Sequence, residues 1–243
     1  MQNNSILCVI PARYGSTRLP GKPLITVKGL PLVMWAYNRA LTSGVFGKVC
    51  VATDDRRVFE AVERHGGVAV MTAADHPSGT DRVCEAARAL PQFDYIVNLQ
   101  GDEPLVPADL LKRLGRGIGR IDDNSLLTCV SYATIEERIN PNIVKVVLNR
   151  REEALYFSRS PIPFDRDGEA GKVLKHCGIY AFTKRGLEHF CGLPRGELEH
   201  REKLEQLRAL EYGMKIMCFL FNYDGAGIDT PEDVQKFKSL VEG

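Results

Sequence analysis

The sequence predicts an α/β fold: a mixed, mostly parallel central sheet carrying an inserted antiparallel lobe. Three observations carry that expectation. Short apolar runs at 6–10, 48–53, 68–72 and 95–99 alternate with helical patterns, a spacing that requires right-handed crossovers and parallel strands covered on both faces. In the middle, residues 125–133, 143–149 and 154–158 are strand-like, and only 150–153 separate the last two, which predicts an antiparallel hairpin. The 243 residues, 44% hydrophobic and 26% charged, suffice for one large domain with a smaller lobe.

In chain order, 6–10 is a buried strand. Residues 31–42 are a helix, with Pro31 in its first turn, Leu32, Trp35, Ala36 and Ala40 apolar, and Gly44 as its stop. After the strand 48–53, Asp54 is the expected cap of a helix that buries Val58, Phe59 and Val62 and ends at Gly66 and Gly67. A third strand at 68–72, a helix at 81–90, a fourth strand at 95–99 and a helix at 107–114 complete this half. The lobe adds a strand at 173–182. Residues 197–212 read as one long charged helix with Leu204, Leu207 and Leu210 as its buried stripe. A late strand at 215–221 and a closing helix at 231–241 follow. The expected organisation is a single domain, 1–243, with parts at about 1–120, 121–213 and 214–243, the last returning to the core.

Composition excludes several classes of function. Thirty-two Lys and Arg against 31 Asp and Glu leave a net charge of +1, with no global footprint for nucleic acid. No apolar run approaches the roughly 20 residues of a spanning helix. The first residues, Met-Gln-Asn-Asn, lack the basic region of a signal peptide, so a cytoplasmic, soluble protein is expected. The seven cysteines are odd in number, lack any C-x-x-C pair and sit mostly in apolar runs. They read as small buried hydrophobes rather than disulfides or zinc ligands.

Chemistry concentrates in residues 11–23, directly after the first strand, at the carboxyl edge where open α/β sheets bind ligands. This loop holds Arg13, Arg18 and Lys22 together with Gly15, Ser16 and Gly21. Glycines let the backbone approach a phosphate chain, and cations neutralise it. It is not a Walker A loop, because five residues separate Gly15 from Gly21 and Pro23 stands where a hydroxyl belongs. A solvated basic loop is the plain alternative. Residues 78–82, Ser-Gly-Thr-Asp-Arg, lead into a helix whose amides can hold an anion or a base carbonyl, and equally read as a capped helix start. Asp102 ends the fourth strand and suits Mg²⁺ beside phosphates, or is simply a turn residue before Glu103 and Pro104. Asp229 reaches the same edge or caps the closing helix.

The segments 11–23, 76–82, 98–104, 156–161, 176–180, 204–208 and 228–233, in this order, resemble the sugar nucleotidylyltransferases. More narrowly, they are similar to the cytidylyltransferases that activate 3-deoxy-manno-octulosonate (KDO), over nearly the whole chain. The resemblance implies a Rossmann-like nucleotide-diphospho-sugar transferase fold and the reaction of CTP with KDO to give CMP-KDO and pyrophosphate. It places Ala12, Arg13, Gly15, Ser16, Arg18, Lys22, Ser78, Gly79, Arg82 and Gln100 on the nucleotide. It makes Lys22, Asp102 and Asp229 catalytic, the two aspartates holding Mg²⁺. It gives the sugar acid to Arg159, Ser160, His176, Tyr180, Glu205 and Gln206, with Arg159 as a fork for the carboxylate. It also implies a homodimer and a role in the lipopolysaccharide inner core.

Structural alternatives stand beside these assignments. A histidine or tyrosine on a strand is commonly a packed core residue, and Glu205 can pair with Arg201 or Arg208 on its own helix. Asn149 departs from the acidic residue expected after the strand. The rival functions are a cytidylyltransferase for an 8-amino KDO analogue or a sialic-type acid, and a non-catalytic nucleotide-binding regulator. Glu103, Glu205 and Gln206 favour KDO by resemblance, and retention of both metal carboxylates argues against the regulator.

Overall fold

The computed structural model describes residues 5–15, 19–168, 171–223, 225 and 227–242. Ser16 and Arg18 lie outside the described residues. The chain divides into two compact units, one of Met1–Arg116 with Gly225–Gly243 and one of Gly117–Asp224.

The first unit begins with β1 (Ile6–Pro11), followed by a short hairpin of β2 (Thr26–Val27) and β3 (Leu30–Pro31). Then come α1 (Leu32–Thr42), β4 (Lys48–Thr53), α2 (Arg56–Arg64), β5 (Ala69–Met71), α3 (Gly79–Ala89), β6 (Tyr95–Asn98) and α4 (Ala108–Gly117). Within this unit β1 pairs in parallel with β6 on one side and β4 on the other, and β4 pairs in parallel with β5. Ile6 to Ile10 are all buried, as the uninterrupted apolar run requires of a strand covered on both faces. Because the four strands run the same way, their carboxyl ends, and the loops that follow them, share one edge.

Two helix starts differ from expectation for local reasons. The cap of α2 is Asp55, not Asp54: its carboxylate accepts from the Arg57 amide at 2.9 Å. The helix α3 starts at Gly79 rather than Asp81, because Ser78 Oγ accepts from the Asp81 amide at 3.2 Å and moves the cap upstream.

The second unit contains β7 (Ser125–Tyr132), α5 (Ile135–Ile139), β8 (Lys145–Leu148), β9 (Ala154–Ser158), β10 (Leu174–Thr183), α6 (Lys184–Gly192), α7 (Glu197–Glu202), α8 (Gln206–Glu211) and β11 (Lys215–Leu220). β10 lies antiparallel to β7 and β8, β8 antiparallel to β9, and β11 parallel to β7. This is the inserted, largely antiparallel lobe. β11 belongs to it, and the chain rejoins the first unit only from Gly225, ending in α9 (Pro231–Glu242). The Phe237 ring of α9 meets Trp35 of α1 edge-on at 5.1 Å, in a cluster with Val27, Leu32, Ile228 and Val234.

The hairpin turn explains Asn149. Its side-chain oxygen accepts from the amides of Arg151 (2.8 Å) and Glu153 (3.0 Å), and its Nδ2 donates to Glu153 Oε2 at 2.7 Å. An amide side chain that both accepts and donates closes this turn; a carboxylate only accepts.

The single long helix expected over 197–212 is two short ones. Lys203 adopts a left-handed conformation (φ 55°, ψ 44°) after α7. The break serves a buried ion pair: Arg208 Nε and Nη2 donate to the two oxygens of Glu199, both at 2.7 Å. Nine residues along a continuous helix would place these side chains roughly 180° apart, on opposite faces. Periodicity could not show the break, because Leu204 and Leu207 stay buried across it. All seven cysteines are free, six buried and Cys191 partly so. Among the described residues, no helix is long and apolar enough to cross a membrane.

Candidate active site

The carboxyl edge of the first unit carries a pocket lined by residues from five chain segments. They include Pro11, Ala12, Arg13, Lys22 and Pro23 after β1; His76, Ser78, Gly79 and Arg82 around the start of α3; Gln100, Gly101 and Asp102 after β6; and Asp229 before α9. Val33 of α1 completes it. Of the predicted nucleotide residues, Ala12, Arg13, Lys22, Ser78, Gly79, Arg82 and Gln100 come together here. Gly15 is described but is not part of the lining.

Lys22 is placed by a tight fold of its loop. The Gly21 amide donates to Tyr14 O at 3.0 Å, and Gly21 takes φ 68°, which suits glycine alone without cost. A Cβ there would also sit 3.2 Å from the Tyr14 ring. That ring is itself covered by the Arg57 guanidinium at 3.5 Å. A 3-10 turn, Lys22–Leu24, then aims the lysine inward. Its Nζ lies 2.8 Å from Asp102 Oδ2 and 3.0 Å from Asp229 Oδ1.

The two aspartates therefore converge on one cation although 127 positions of sequence separate them. Asp102 is fixed by the end of β6, and its carbonyl accepts from the Ile228 amide at 3.0 Å, which draws residues 227–229 alongside. The alternative role of Asp229 as a helix cap is filled by others. Thr230 Oγ1 accepts from the Asp233 amide at 3.2 Å, and Asp233 Oδ2 accepts from the amides of Asp229 and Thr230. Those bonds hold the Asp233 carboxyl below the usual carboxylate range against the opposing effect of its burial.

At α3, the cap Ser78 also donates to Asp81 Oδ2 at 2.7 Å. Arg82 is 3% exposed: Nη1 donates to Thr72 Oγ1 (2.5 Å) and Ala73 O (3.1 Å), and Nη2 pairs with Asp54 at 3.3 Å. The arginine lines the pocket while anchored to the ends of β4 and β5. Asn98 Nδ2 donates to Thr80 Oγ1 at 3.0 Å, and Gln100 Nε2 reaches Asn98 Oδ1 at 3.4 Å, tying β6 to α3. His76 bonds Glu85, which with the Ala73 amide holds the Glu85 carboxyl below its ordinary range. His76, Val33, Asp54 and Thr72 were not among the expected site residues. His76 heads the segment 76–82 and Asp54 reads as a cap, but their partners Glu85 and Arg82 lie on α3, beyond what those local patterns specify.

The sugar-site candidates lie in the second unit, in two groups. At the end of β9, the Arg159 amide donates to Glu202 Oε2 (2.9 Å), Nε to Glu202 O (2.8 Å) and Nη1 to Pro141 O (3.0 Å). Among the described residues, one N–H of Nη1 and both of Nη2 make no hydrogen bond. They are donors of the planar kind that a carboxylate accepts in pairs. Ser158 Oγ donates to Glu202 Oε1 at 2.6 Å and accepts from the Ser160 amide at 3.0 Å; Ser160 itself is exposed.

The second group sits on β10. Two additional residues, Gly178 and Ile179, bulge this strand between the pairs Cys177↔Cys129 and Tyr180↔Thr128. Thr128 Oγ1 lies 2.8 Å from Ile179 O, 3.2 Å from Cys177 O and 2.9 Å from His176 Nε2, so its one proton has the carbonyls of the bulge as acceptors. Four positions apart, His176 and Tyr180 share a face of the strand, and the bulge between them accompanies a ring-centroid separation of 5.3 Å. His176 retains some solvent contact but lies in a dense region, and desolvation pushes its pKa down to about 3, so the ring is neutral. Burial, then the charge of Glu205, raises the Tyr180 hydroxyl well above its ordinary value. Gln206 is buried at the first position of α8, with Glu205 just before it. Arg201 pairs with Glu197 at 2.6 Å, and Arg208 with Glu199 at 2.7 Å.

The sequence model of the cytidylyltransferase family matches residues 7–216, spanning both units. The chain belongs to the cytidylyltransferase family. It is a nucleotidyltransferase, and its α/β fold is that of a solved family member. A structure of CMP:2-keto-3-deoxy-manno-octonic acid synthetase complexed with CTP is similar with a TM-score of 0.93 and 43% identity, covering 98% of each chain. The 3-deoxy-manno-octulosonate cytidylyltransferase of Thermodesulfovibrio yellowstonii is 48% identical over 94% of this chain and 95% of its own. The 8-amino-3,8-dideoxy-manno-octulosonate cytidylyltransferase of Shewanella frigidimarina is 43% identical over 95% of this cytidylyltransferase and 96% of its own length.

Proposed function

We propose that this cytidylyltransferase transfers CMP from CTP to the anomeric hydroxyl of KDO, giving CMP-KDO and pyrophosphate for the lipopolysaccharide inner core. The observation that carries the reading is the pocket of the first unit. It sets three cations, Arg13, Lys22 and Arg82, beside two carboxylates that converge on a single positive charge, in a chain similar throughout to a CTP-binding synthetase.

In this reading the bond formed joins the sugar oxygen to the α-phosphorus, and the bond broken releases pyrophosphate. Arg13 and Lys22 neutralise the phosphate chain, so Lys22 exchanges its two carboxylates for phosphate oxygens when CTP binds. The vacated carboxylates fit Mg²⁺. Two aspartates already share one cation, and a hard dication bound by one or two carboxylates takes its other ligands from phosphate and water. Mg²⁺ bound there supplies positive charge to the reacting phosphate. Gly79 and Gln100 orient the nucleoside at the start of α3, which Ser78 caps. On the second unit, the Arg159 fork takes the sugar carboxylate with Ser160 beside it. Neutral His176, protonated Tyr180, Glu205 and Gln206 meet hydroxyls as hydrogen-bond partners, and neither ring titrates near neutral pH.

A homodimer in the cytoplasm belongs to the same proposal. Ile135, Ile139, Leu155 and Phe164 of the second unit are exposed apolar side chains of the sort a partner copy covers. The 8-amino analogue is the second reading, favoured by the relatives of that name at 43–44% identity. Pyrophosphate release from CTP, measured with KDO, its 8-amino analogue and a sialic acid, tests the assignment. Highest kcat/KM with KDO is expected. Preference for another acid would replace it, and no release with any would return the chain to nucleotide binding alone.

A further inference from the structure

Among the described residues Lys145 is the largest wholly buried side chain, at 0% exposure, and nothing in the reaction assigns it a role. Among the described residues its ammonium makes no ion pair, the charge acting in its favour being that of Glu202. It donates instead to three backbone carbonyls: Asn140 at 2.9 Å, Ile143 at 2.6 Å and Arg159 at 2.5 Å. Those three bonds use all three of its N–H donors. Burying an ammonium against carbonyl dipoles, without a counter-charge in contact, is a costly arrangement for joining a loop to a strand. A leucine or methionine would fill the space without that cost.

The three carbonyls share one consequence. Lys145 opens β8 opposite Ser158 of β9, so its Nζ reaches the carbonyl of the next residue, Arg159. From the other side it gathers the 140–143 loop, and that loop supplies Pro141 O, the acceptor for Arg159 Nη1. The backbone of Arg159 and one of the two carbonyls that aim its guanidinium are thus held by the same ammonium. We propose that Lys145 is the positioning residue of the acceptor site: it fixes the direction of the Arg159 fork and thereby the affinity for an α-keto sugar acid, without touching substrate. The inference rests on the reading of Arg159 as the carboxylate grip. Glu202, which receives the Arg159 amide and accepts from its Nε, secures the opposite side of the fork.

Arrangement of this kind affects sugar affinity and leaves the nucleotide pocket of the other unit alone. The test is a double-mutant cycle of Lys145→Met and Arg159→Lys, read as KM for KDO at saturating CTP, KM for CTP, and thermal midpoint. Lys145→Met is expected to raise KM for KDO tenfold or more and to leave KM for CTP within twofold. In the double variant its added effect on KM for KDO should fall below threefold, because the fork it aims is already lost. If Arg159→Lys alone leaves KM for KDO unchanged, the carboxylate grip is wrong and the inference falls with it. If Arg159→Lys is damaging while Lys145→Met is silent, fully additive, or equally harmful to CTP, the grip stands and the positioning role is overturned. Should Lys145→Met not fold, Lys145→Arg keeps the charge but cannot converge three donors on these carbonyls, and the same kinetic pattern is expected. A chain that folds with neither replacement makes Lys145 a folding residue only, which also overturns the proposal.

Discussion

Lys22 and Lys145 are chemically identical side chains put to opposite uses in the two units. Lys22 is held by two carboxylates in the lining of the pocket, partners that the oxygens of a phosphate can replace. Lys145 is held by three carbonyls in the interior of the lobe, partners that nothing displaces. The contrast extends to the arginines. The Arg13 side chain faces the pocket, whereas Arg159 spends two donors on carbonyls and keeps three to offer. A nucleotide site selects for exchangeable charge, because CTP brings its own counter-ions. A site that must read the direction of one carboxylate selects for charge that is already fixed.

The largest expected effect tests the exchangeable side. Asp102→Asn and Asp229→Asn each remove a charge from the site the two carboxylates share, which should cost about 4 kcal/mol in the transition state with the fold intact by circular dichroism. Activity titrated against Mg²⁺ reads it. Near-normal turnover at limiting Mg²⁺ in either folded variant would show that Lys22, not a metal, is the partner these aspartates exist for.

Next comes the fixed side. Arg159→Lys keeps the charge and loses the planar fork, so kcat/KM for KDO should fall by about 3 kcal/mol while CTP binding persists. Steady-state kinetics varying KDO measure it. A KM within twofold of the parent chain would make Arg159 a structural pair for Glu202 and Pro141.

A smaller effect concerns pH. The folded pKa of His176 lies at about 3, below its ordinary value near 6.5, so between those limits the unfolded chain binds more protons than the folded one. Stability contributed by keeping this histidine neutral is complete above pH 6.5 and is lost as pH falls toward 3. Between pH 7.5 and pH 5 the loss is about 2 kcal/mol. Urea unfolding of the parent and of His176→Gln at both pH values reads the difference. Equal pH dependence in the two chains would mean that the buried ring does not hold its low pKa.

How legible all this was depends on the distance over which each cause acts. β1 and its loop were readable because an apolar run of five followed by cations and glycines is local chemistry. Asp229 was ambiguous because 229–233 also spells a cap; only the backbone showed Thr230 and Asp233 taking that role. The break in 197–212 was invisible because its cause, Glu199 meeting Arg208, opposes a leucine period that continues through it. Asp55 displaced Asp54 as a cap by one position, and Asp54 went instead to Arg82 on another helix. Lys145 had no signal at all: a lysine at the start of a strand reads as exposed, and its carbonyls come from three places in the chain.

The smallest expected effect sharpens the comparison at Ser78, which is at once a helix cap and a wall of the nucleotide pocket. Ser78→Ala removes the acceptor for the Asp81 amide and should destabilise the chain by about 1 kcal/mol, a fall in thermal midpoint of roughly 2–4 °C. Ser78→Asp restores a capping oxygen and should regain most of that stability. It also places a negative charge beside the pocket, where CTP brings several, so it should weaken the nucleotide by about tenfold through like-charge repulsion at close range. The two variants therefore part company: alanine costs stability and spares CTP, aspartate spares stability and costs CTP. If Ser78→Ala weakens CTP as much as Ser78→Asp does, the hydroxyl itself bonds the nucleotide, and this wall of the pocket is a fixed contact like Arg159 rather than part of the exchangeable set.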